Sequence, residues 1–246
     1  MFDHNYSNEN TKSKYKILGS YCIFGNIKDR PWIMCYGGST TSAIQGSTWC
    51  AELQENLKNE GINACIFNGG CASHNSWNEL NKMIRDLPTL KPDKIISYSG
   101  INDFTIHVDS ENPYVNIRCI EDVMELALFK GLNVPATSQD HADVFIERSN
   151  QMNAICDLHS VSFKRILQPT LGYGNYVYDM SDPKDRLFDG IARGNDEYHA
   201  VEKLNTFYDK IRNHYKHNCA DYFVDLTKIF DGHSRLFDTQ IELVIR

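Results

Sequence analysis

WIMCYGGSTT, residues 32–41, joins a short apolar run to a glycine-rich turn that carries Ser39. The run from Trp32 to Tyr36 has the length and composition of a buried β-strand, and the two glycines after it indicate a tight turn. In open α/β sheets, ligands bind in the crevice beyond the carboxyl ends of the strands. The pattern therefore predicts a serine hydroxyl at such an edge, where it is a candidate nucleophile.

Two further apolar runs end in the same way. Residues 64–67 lead into Asn68-Gly69-Gly70, and residues 94–99 lead into Gly100-Ile101-Asn102-Asp103. Helical and strand patterns alternate along the chain. Helices are predicted over 47–60, 77–87 (stopped by Pro88), 120–129, 142–159 and 196–217, and later strands over 162–167 and 222–225. Such alternation predicts βαβ units in a three-layer α/β/α fold with a parallel five-stranded sheet.

Length and composition indicate one globular domain. The chain has 246 residues, of which 41% are hydrophobic and 23% are charged. Residues 1–30 show no clear periodicity, so we expect them to form an amino-terminal extension packed over a single domain at 31–246. The stretch 170–195 is long for a connection and is expected to be a functional loop.

Charge and hydropathy exclude two classes of partner. The net charge of −7 disfavours broad binding to nucleic acid. No apolar stretch approaches the roughly 20 residues of a membrane helix. The polar amino terminus lacks the apolar core of a signal peptide, so a cytoplasmic location is expected.

The cysteines and one acidic cluster bear on metals and redox state. The eight cysteines contain no CxxC pair and match no zinc module, which favours free thiols in a reducing compartment over a disulfide framework. Asp140, His141 and Asp143 resemble a metal site, but residues this close in a loop more often cap a helix, here one beginning near Ala142. No cofactor or metal is expected.

The three strand-end motifs, in this order, resemble the SGNH (GDSL-like) hydrolase superfamily. Ser39 lies in a Gly-Gly-Ser-Thr-Thr form of the first block, Gly70 matches the second, and Asn102 lies in the Gly-x-Asn-Asp of the third. The resemblance covers about residues 31–230 and implies a flavodoxin-like fold. It also implies a serine nucleophile at Ser39 and an oxyanion hole formed by the Ser39 and Gly70 N–H groups and the Asn102 amide. Asp103 is expected to brace its turn.

The sequence departs from the family in the last block, which should contain Asp-x-x-His. The nearest match begins at Asp238, but Ile241 stands where the histidine is expected, and the chain ends at Arg246. We therefore expect the carboxyl-terminal helix that closes the family's sheet to be missing, through truncation or a frameshift within this block. A natural variant with a different base is the alternative. In the family arrangement Asp238 would orient the base.

His233 is the nearest replacement for the missing base, although an exposed loop histidine is the alternative interpretation. His74 follows the second block and could face the crevice, and His107 lies beyond the third block and could line the substrate side. A helix-start histidine is the alternative for His74.

The resemblance implies a serine esterase that cleaves an acyl ester, with acetyl and a carbohydrate carrier as the expected substrate. Tyr173, Tyr176 and Tyr178 are compatible with sugar stacking, or are surface residues. Two alternatives stay open: an SGNH-fold ligand-binding protein without the catalytic histidine, and a sugar O-acyltransferase. A phosphate cradle at the Ser39 turn would lack the P-loop lysine.

The expected partner is a small-molecule or carbohydrate ester, with no nucleic acid and no membrane. A sheet face without its closing helix would expose apolar surface and favour association into a homo-oligomer.

Overall fold

The computed structural model describes residues 4–6, 15–18, 21–42, 48–105, 140–170, 173–177, 179–181 and 201–232. Within these residues the strands are β1 His4–Tyr6, β2 Tyr15–Leu18, β3 Tyr21–Phe24, β4 Trp32–Gly37, β5 Cys65–Asn68, β6 Lys94–Ser99, β7 Ser162–Leu167 and β8 Phe223–Asp225. The helices are α1 Trp49–Asn59, α2 Ser76–Leu90, α3 Ile101–Thr105, α4 His141–Leu158 and α5 Val201–Asn218.

All eight strands belong to one sheet, in the order β1-β2-β3-β5-β4-β6-β7-β8. Five neighbours, β5-β4-β6-β7-β8, are parallel. Taken in order of appearance, these five are arranged 2-1-3-4-5, which is the flavodoxin-like order. The predicted fold class, α/β with a flavodoxin-like parallel sheet, is confirmed.

The sheet is nevertheless larger than the five strands predicted. β3 pairs antiparallel with β5, and β2 and β1 continue the sheet beyond it. These strands come from the segment that the sequence analysis assigned to an extension over the domain. Each holds only three or four residues, which is too short for an alternating pattern to be recognised.

Helices cover both faces of the sheet, as alternate residues of β4 demonstrate. Met34 and Tyr36 lie in a core cluster with side chains of α2 and α4. Ile33 and Cys35 lie in a separate cluster with α1. Because successive side chains of a strand point to opposite faces, α1 lies on one face and α2 and α4 on the other. A third cluster joins α5 to α3 and α4. The closing helix expected to be missing concerns residues 233–246, which lie outside the described part.

Two helix ends refine the sequence prediction. α2 does not stop at Pro88 but continues through it to Leu90. Lys91 then ends the helix in a left-handed conformation (φ 47°), with its N–H donated to the Leu87 carbonyl. Asp140 caps α4 by accepting the Asp143 N–H at 2.9 Å, as the capping interpretation predicted.

The described residues also bear on thiols, metals and membranes. The cysteines among them are free thiols, at positions 22, 35, 50, 65, 71, 156 and 219. No three His, Cys, Asp or Glu side chains in the described ranges are grouped so that they could hold a metal ion. None of the described helices combines the length and apolar character needed to span a bilayer.

Candidate active site

The candidate site lies where β5, β4 and β6 end. β4 is the neighbour of both other strands, with Cys35 beside Asn68 and Gly37 beside Tyr98. Because parallel strands end at the same edge, the segments that follow them meet there. The structure thus brings the Ser39 turn, the Gly70 loop and the first turn of α3, which carries Asn102, to one edge of the sheet.

Ser39 lies in a compact turn. The Gly38 carbonyl accepts the N–H groups of Thr41 at 3.1 Å and Ser42 at 3.0 Å, so the chain makes one helix-like turn directly after β4. Ser39 is half-buried between buried Gly38 and exposed Thr40. Within the part of the chain that the structure describes, its backbone N–H has no hydrogen-bond acceptor. That donor is therefore available beside the hydroxyl.

Asn102 lies against this turn. Its Nδ2 donates to the His74 carbonyl at 2.8 Å. A Cβ built on Gly38 would lie only 2.3 Å from the same nitrogen, so only glycine leaves room for the amide. A carboxamide nitrogen carries two N–H groups, and the second is available at the turn that carries Ser39.

Gly70 also touches the Ser39 turn, but its N–H already has an acceptor. A Cβ built on Gly70 would lie 2.6 Å from Thr41 Cβ and 2.7 Å from Thr41 C. The Gly70 N–H donates to Asn68 Oδ1 at 2.9 Å. In turn, Asn68 Nδ2 donates to the Thr41 carbonyl at 2.6 Å. Asn68 thus holds the Gly70 loop to the Ser39 turn.

Asp103 braces the start of α2. It is buried and accepts the Ser76 N–H at 3.1 and 3.2 Å, as well as a hydrogen bond from the Ser76 hydroxyl. Arg148 from α4 donates to Ser76 Oγ at 3.2 Å. This network fixes the end of the loop that carries Gly70 and His74. From the sequence, Asp103 is expected to brace its own turn; its side chain instead braces this neighbouring loop.

His74 and His141 are described histidines near this edge, His74 in the loop after β5 and His141 at the start of α4, within the electrostatic reach of Asp103. His74 lies nearer the Ser39 turn. Its carbonyl holds the Asn102 amide, and its side chain is half-buried. Burial, together with the positive charge of Lys82, lowers the pKa of His74 to about 4. The imidazole is therefore neutral at pH 7.

The other candidate residues lie in several places. His233, Asp238 and His107 lie outside the described residues, so their roles stay predictions. His141 begins α4, beside its Asp140 cap. Tyr173 is not a surface platform for sugar, because it is buried and stacks on Tyr208 at 5.0 Å.

Sequence reasoning missed two residues at this edge. Asn68 belongs to the quoted Asn-Gly-Gly motif, but a motif does not reveal that its side chain caps the Gly70 N–H. Lys82 is buried on α2 and donates to the Gly69 carbonyl at 2.7 Å. The sequence feature that could have revealed it is the position of this lysine in a predicted helix, among residues that are buried: Glu79, Leu80 and Met83.

Comparisons with known proteins find likenesses among solved structures. No family model and no curated protein matches the chain. An acetyl xylan esterase, AlAXEase, is 18% identical, with a TM-score of 0.46 over 87% of this chain and 86% of its own. A catalytic mutant of the acetylxylan esterase Axe2 from Geobacillus stearothermophilus is 14% identical, with a TM-score of 0.46 over 82% of this chain and 79% of its own. A protein from Desulfitobacterium hafniense assigned to the G-D-S-L lipolytic family is 14% identical, with a TM-score of 0.42 over 80% and 77%. These are resemblances of fold.

Proposed function

We propose that this protein is a serine esterase that cleaves an acyl ester with Ser39 as its nucleophile. One observation carries the proposal: the Asn102 amide and Gly70 both contact the turn that holds Ser39, at the strand edge where α/β folds bind ligands. A hydroxyl, a carboxamide donor and peptide N–H groups at one place form the set that acyl transfer requires.

Each group has a role in the reaction. Ser39 Oγ attacks the ester carbonyl as its proton passes to the base, and the carbonyl oxygen becomes an oxyanion. The Ser39 N–H and the second N–H of Asn102 donate to that oxygen. The Gly70 N–H exchanges its neutral acceptor, Asn68 Oδ1, for the oxyanion, because hydrogen bonds to ionised acceptors are roughly twice as strong as neutral ones. When the oxyanion collapses, the ester C–O bond breaks, the alcohol leaves with the proton from the base, and the acyl group stays on Ser39 until water releases it as the acid.

The serine proton needs a base, and we propose His233, oriented by Asp238. His74 fits that role poorly. An efficient base has a pKa near the working pH, and the pKa of about 4 at His74 is too low to draw a proton from serine effectively. His74 instead holds Asn102 through its backbone carbonyl.

For the substrate, we propose an acetyl ester carried on a carbohydrate. This part of the proposal depends on the resemblance of the Gly-Gly-Ser-Thr-Thr motif to SGNH hydrolases. Transfer of the acyl group to a sugar hydroxyl would use the same serine chemistry, with a sugar in place of water as the acceptor.

Turnover of p-nitrophenyl acetate by the Ser39→Ala variant tests the proposal. We expect kcat to fall by at least about 10³, because no nucleophile remains. Thr40→Ala is the matched control, since it removes an exposed hydroxyl one residue away, and its activity should equal that of wild type. Equal activity of Ser39→Ala and wild type would refute the assignment.

The second candidate is a binding protein that has lost its base. Ile241, at the position where the family has histidine, favours it. Wild-type protein that binds an acetylated oligosaccharide in calorimetry, yet releases no acetate from it, would establish this candidate in place of the esterase.

A further inference from the structure

Lys82 of α2 is a buried lysine aimed at the loop that carries Gly70. The residue is 8% exposed, and Nζ donates to the Gly69 carbonyl at 2.7 Å. Burial lowers the pKa of Lys82, and the nearby Asp86 carboxylate opposes that effect. A buried lysine is costly unless its ammonium is hydrogen-bonded and paired, so its position calls for an explanation.

The geometry of one peptide links Lys82 to the candidate oxyanion hole. The Gly69 carbonyl and the Gly70 N–H belong to the same peptide group. A trans peptide is planar, with its C=O and N–H pointing in opposite directions. With the oxygen held by Lys82, the Gly70 N–H points away from the lysine, toward Asn68 Oδ1. Asn68 is itself hydrogen-bonded to the Thr41 carbonyl of the turn that carries Ser39.

The amino-terminal strand β3 keeps Lys82 in place. The Tyr21 ring lies beneath the ammonium, with Nζ 4.5 Å from the ring centroid. The Tyr21 hydroxyl is hydrogen-bonded to Asp86, and Asp86 is paired with Arg85 at 2.5 Å. A Cβ built on Gly69 would lie 2.6 Å from the Tyr21 ring, so the Tyr21 side chain also contacts the loop that carries Gly70.

We propose that Lys82 is a positioning residue for ester hydrolysis, which holds the Gly69–Gly70 peptide in one orientation and polarises its N–H toward the oxyanion. A cation on the carbonyl oxygen draws electron density from the peptide nitrogen, which makes the Gly70 N–H a stronger donor. Two consecutive glycines allow this peptide to rotate more freely than most, so an external hold on its oxygen matters. The inference rests on the proposed esterase function.

Four variants of the full chain test this role. Lys82→Met removes charge and donor, Lys82→Gln keeps a neutral donor, and Lys82→Arg keeps the charge. Lys58→Met is the matched control, because it removes an exposed lysine of α1. The measurements are kcat and KM for p-nitrophenyl acetate, and the Gly70 amide proton shift in a ¹⁵N–¹H spectrum, which also reports folding.

We expect Lys82→Met and Lys82→Gln to lower kcat by about tenfold or more, part of the loss of about 10²–10³ seen when one oxyanion donor is removed. KM should change by less than about twofold, because the effect is confined to the transition state. The Gly70 amide proton should move upfield in both variants. Lys82→Arg should recover most of the activity, and Lys58→Met should match wild type in both readouts.

A Gly70 resonance that stays in place in Lys82→Met and Lys82→Gln overturns the proposal, as does wild-type turnover in either variant. Wild-type protein that hydrolyses no ester refutes the proposed function instead. In that case the Gly70 resonance still decides whether Lys82 orients this peptide.

Discussion

The two histidines weighed as the catalytic base differ in a property that a pH profile separates. Burial and the charge of Lys82 keep His74 neutral down to about pH 4, whereas the pKa of an ordinary histidine is about 6.5. A base works only in its neutral form, so activity is present above its pKa and is lost as the pH falls through it. The acid limb of the profile therefore identifies the base.

With His233 as the base, we expect kcat/KM to fall about tenfold per pH unit below about pH 6.5. His233→Ala should lower kcat by about 10²–10⁴, the usual contribution of general base catalysis. Initial rates between pH 4 and 8 check both expectations. A profile that stays flat to pH 5, together with inactive His74→Ala, would assign the base to His74.

Sequence reasoning placed individual residues better than it placed their hydrogen bonds. Ser39, Gly70 and Asn102 follow predicted strands, and the structure brings all three segments to one edge. The hydrogen bond from the Gly70 N–H to Asn68 Oδ1 depends on the path of the loop in three dimensions. No spacing along the chain encodes it.

Between elements, the Ser39 turn and α3 approach each other closely at the site. A Cβ on Gly38 would meet Asn102 Nδ2 at 2.3 Å and the His74 carbonyl at 3.3 Å. The amide is the free end of a side chain and can move, whereas the turn is held by two backbone hydrogen bonds to the Gly38 carbonyl. A methyl group on residue 38 therefore displaces the Asn102 amide, the proposed oxyanion donor, and leaves the turn in place.

We therefore expect Gly38→Ala to reduce kcat/KM by about 10²–10³, the cost of one lost oxyanion donor. Its free energy of unfolding in urea should change by about 1 kcal/mol or less, as for substitutions that the surroundings accommodate. Asn102→Ala should show a similar loss of activity. If both substitutions remove the same donor, the double variant loses no more than either single one; additive losses would contradict this.

The strands and helices were predictable where their patterns were long. β7 matches its predicted range, α4 is shifted by one residue at each end, and β8 begins one residue later than predicted. The helix that passes through Pro88 was not predictable from a local rule, because its end depends on the conformation of Lys91. The short strands β1 to β3 are defined by their pairing, β3 with β5, β2 with β3 and β1 with β2, rather than by their own sequence.

At the scale of the whole molecule, a buried ion pair ties β7 of the sheet to α2. Arg165 of β7 is fully buried and donates to Glu79 of α2 at 2.6 Å and also to Ser97 of β6. Its guanidinium lies 4.3 Å from the centroid of the Phe145 ring on α4. The alternation of β7 places Arg165 on the inward face, but the sequence does not reveal its partner 86 residues away.

Removing one member of this pair should be far more costly than removing both. Arg165→Met leaves the Glu79 carboxylate buried without its cation and should lower the free energy of unfolding by about 3–5 kcal/mol. Glu79→Leu combined with Arg165→Met should recover most of that loss. Urea unfolding measures each variant.

Arg30→Met is the surface control, because Arg30 and Asp93 form an exposed pair at 2.8 Å. It should cost less than about 1 kcal/mol. A cost for Arg165→Met as small as this, or a double variant less stable than Arg165→Met alone, would contradict the role given to the pair.

The antiparallel strands at the start of the chain have a consequence for how copies of this protein can meet. In a bare five-stranded sheet, β5 would present unpaired N–H and C=O groups, a ready template for a strand from another molecule. β3 occupies that border along Cys22–Phe24. A second copy therefore cannot prolong the sheet beside the Gly70 loop, and intermolecular strand addition there is blocked by the protein's own first residues.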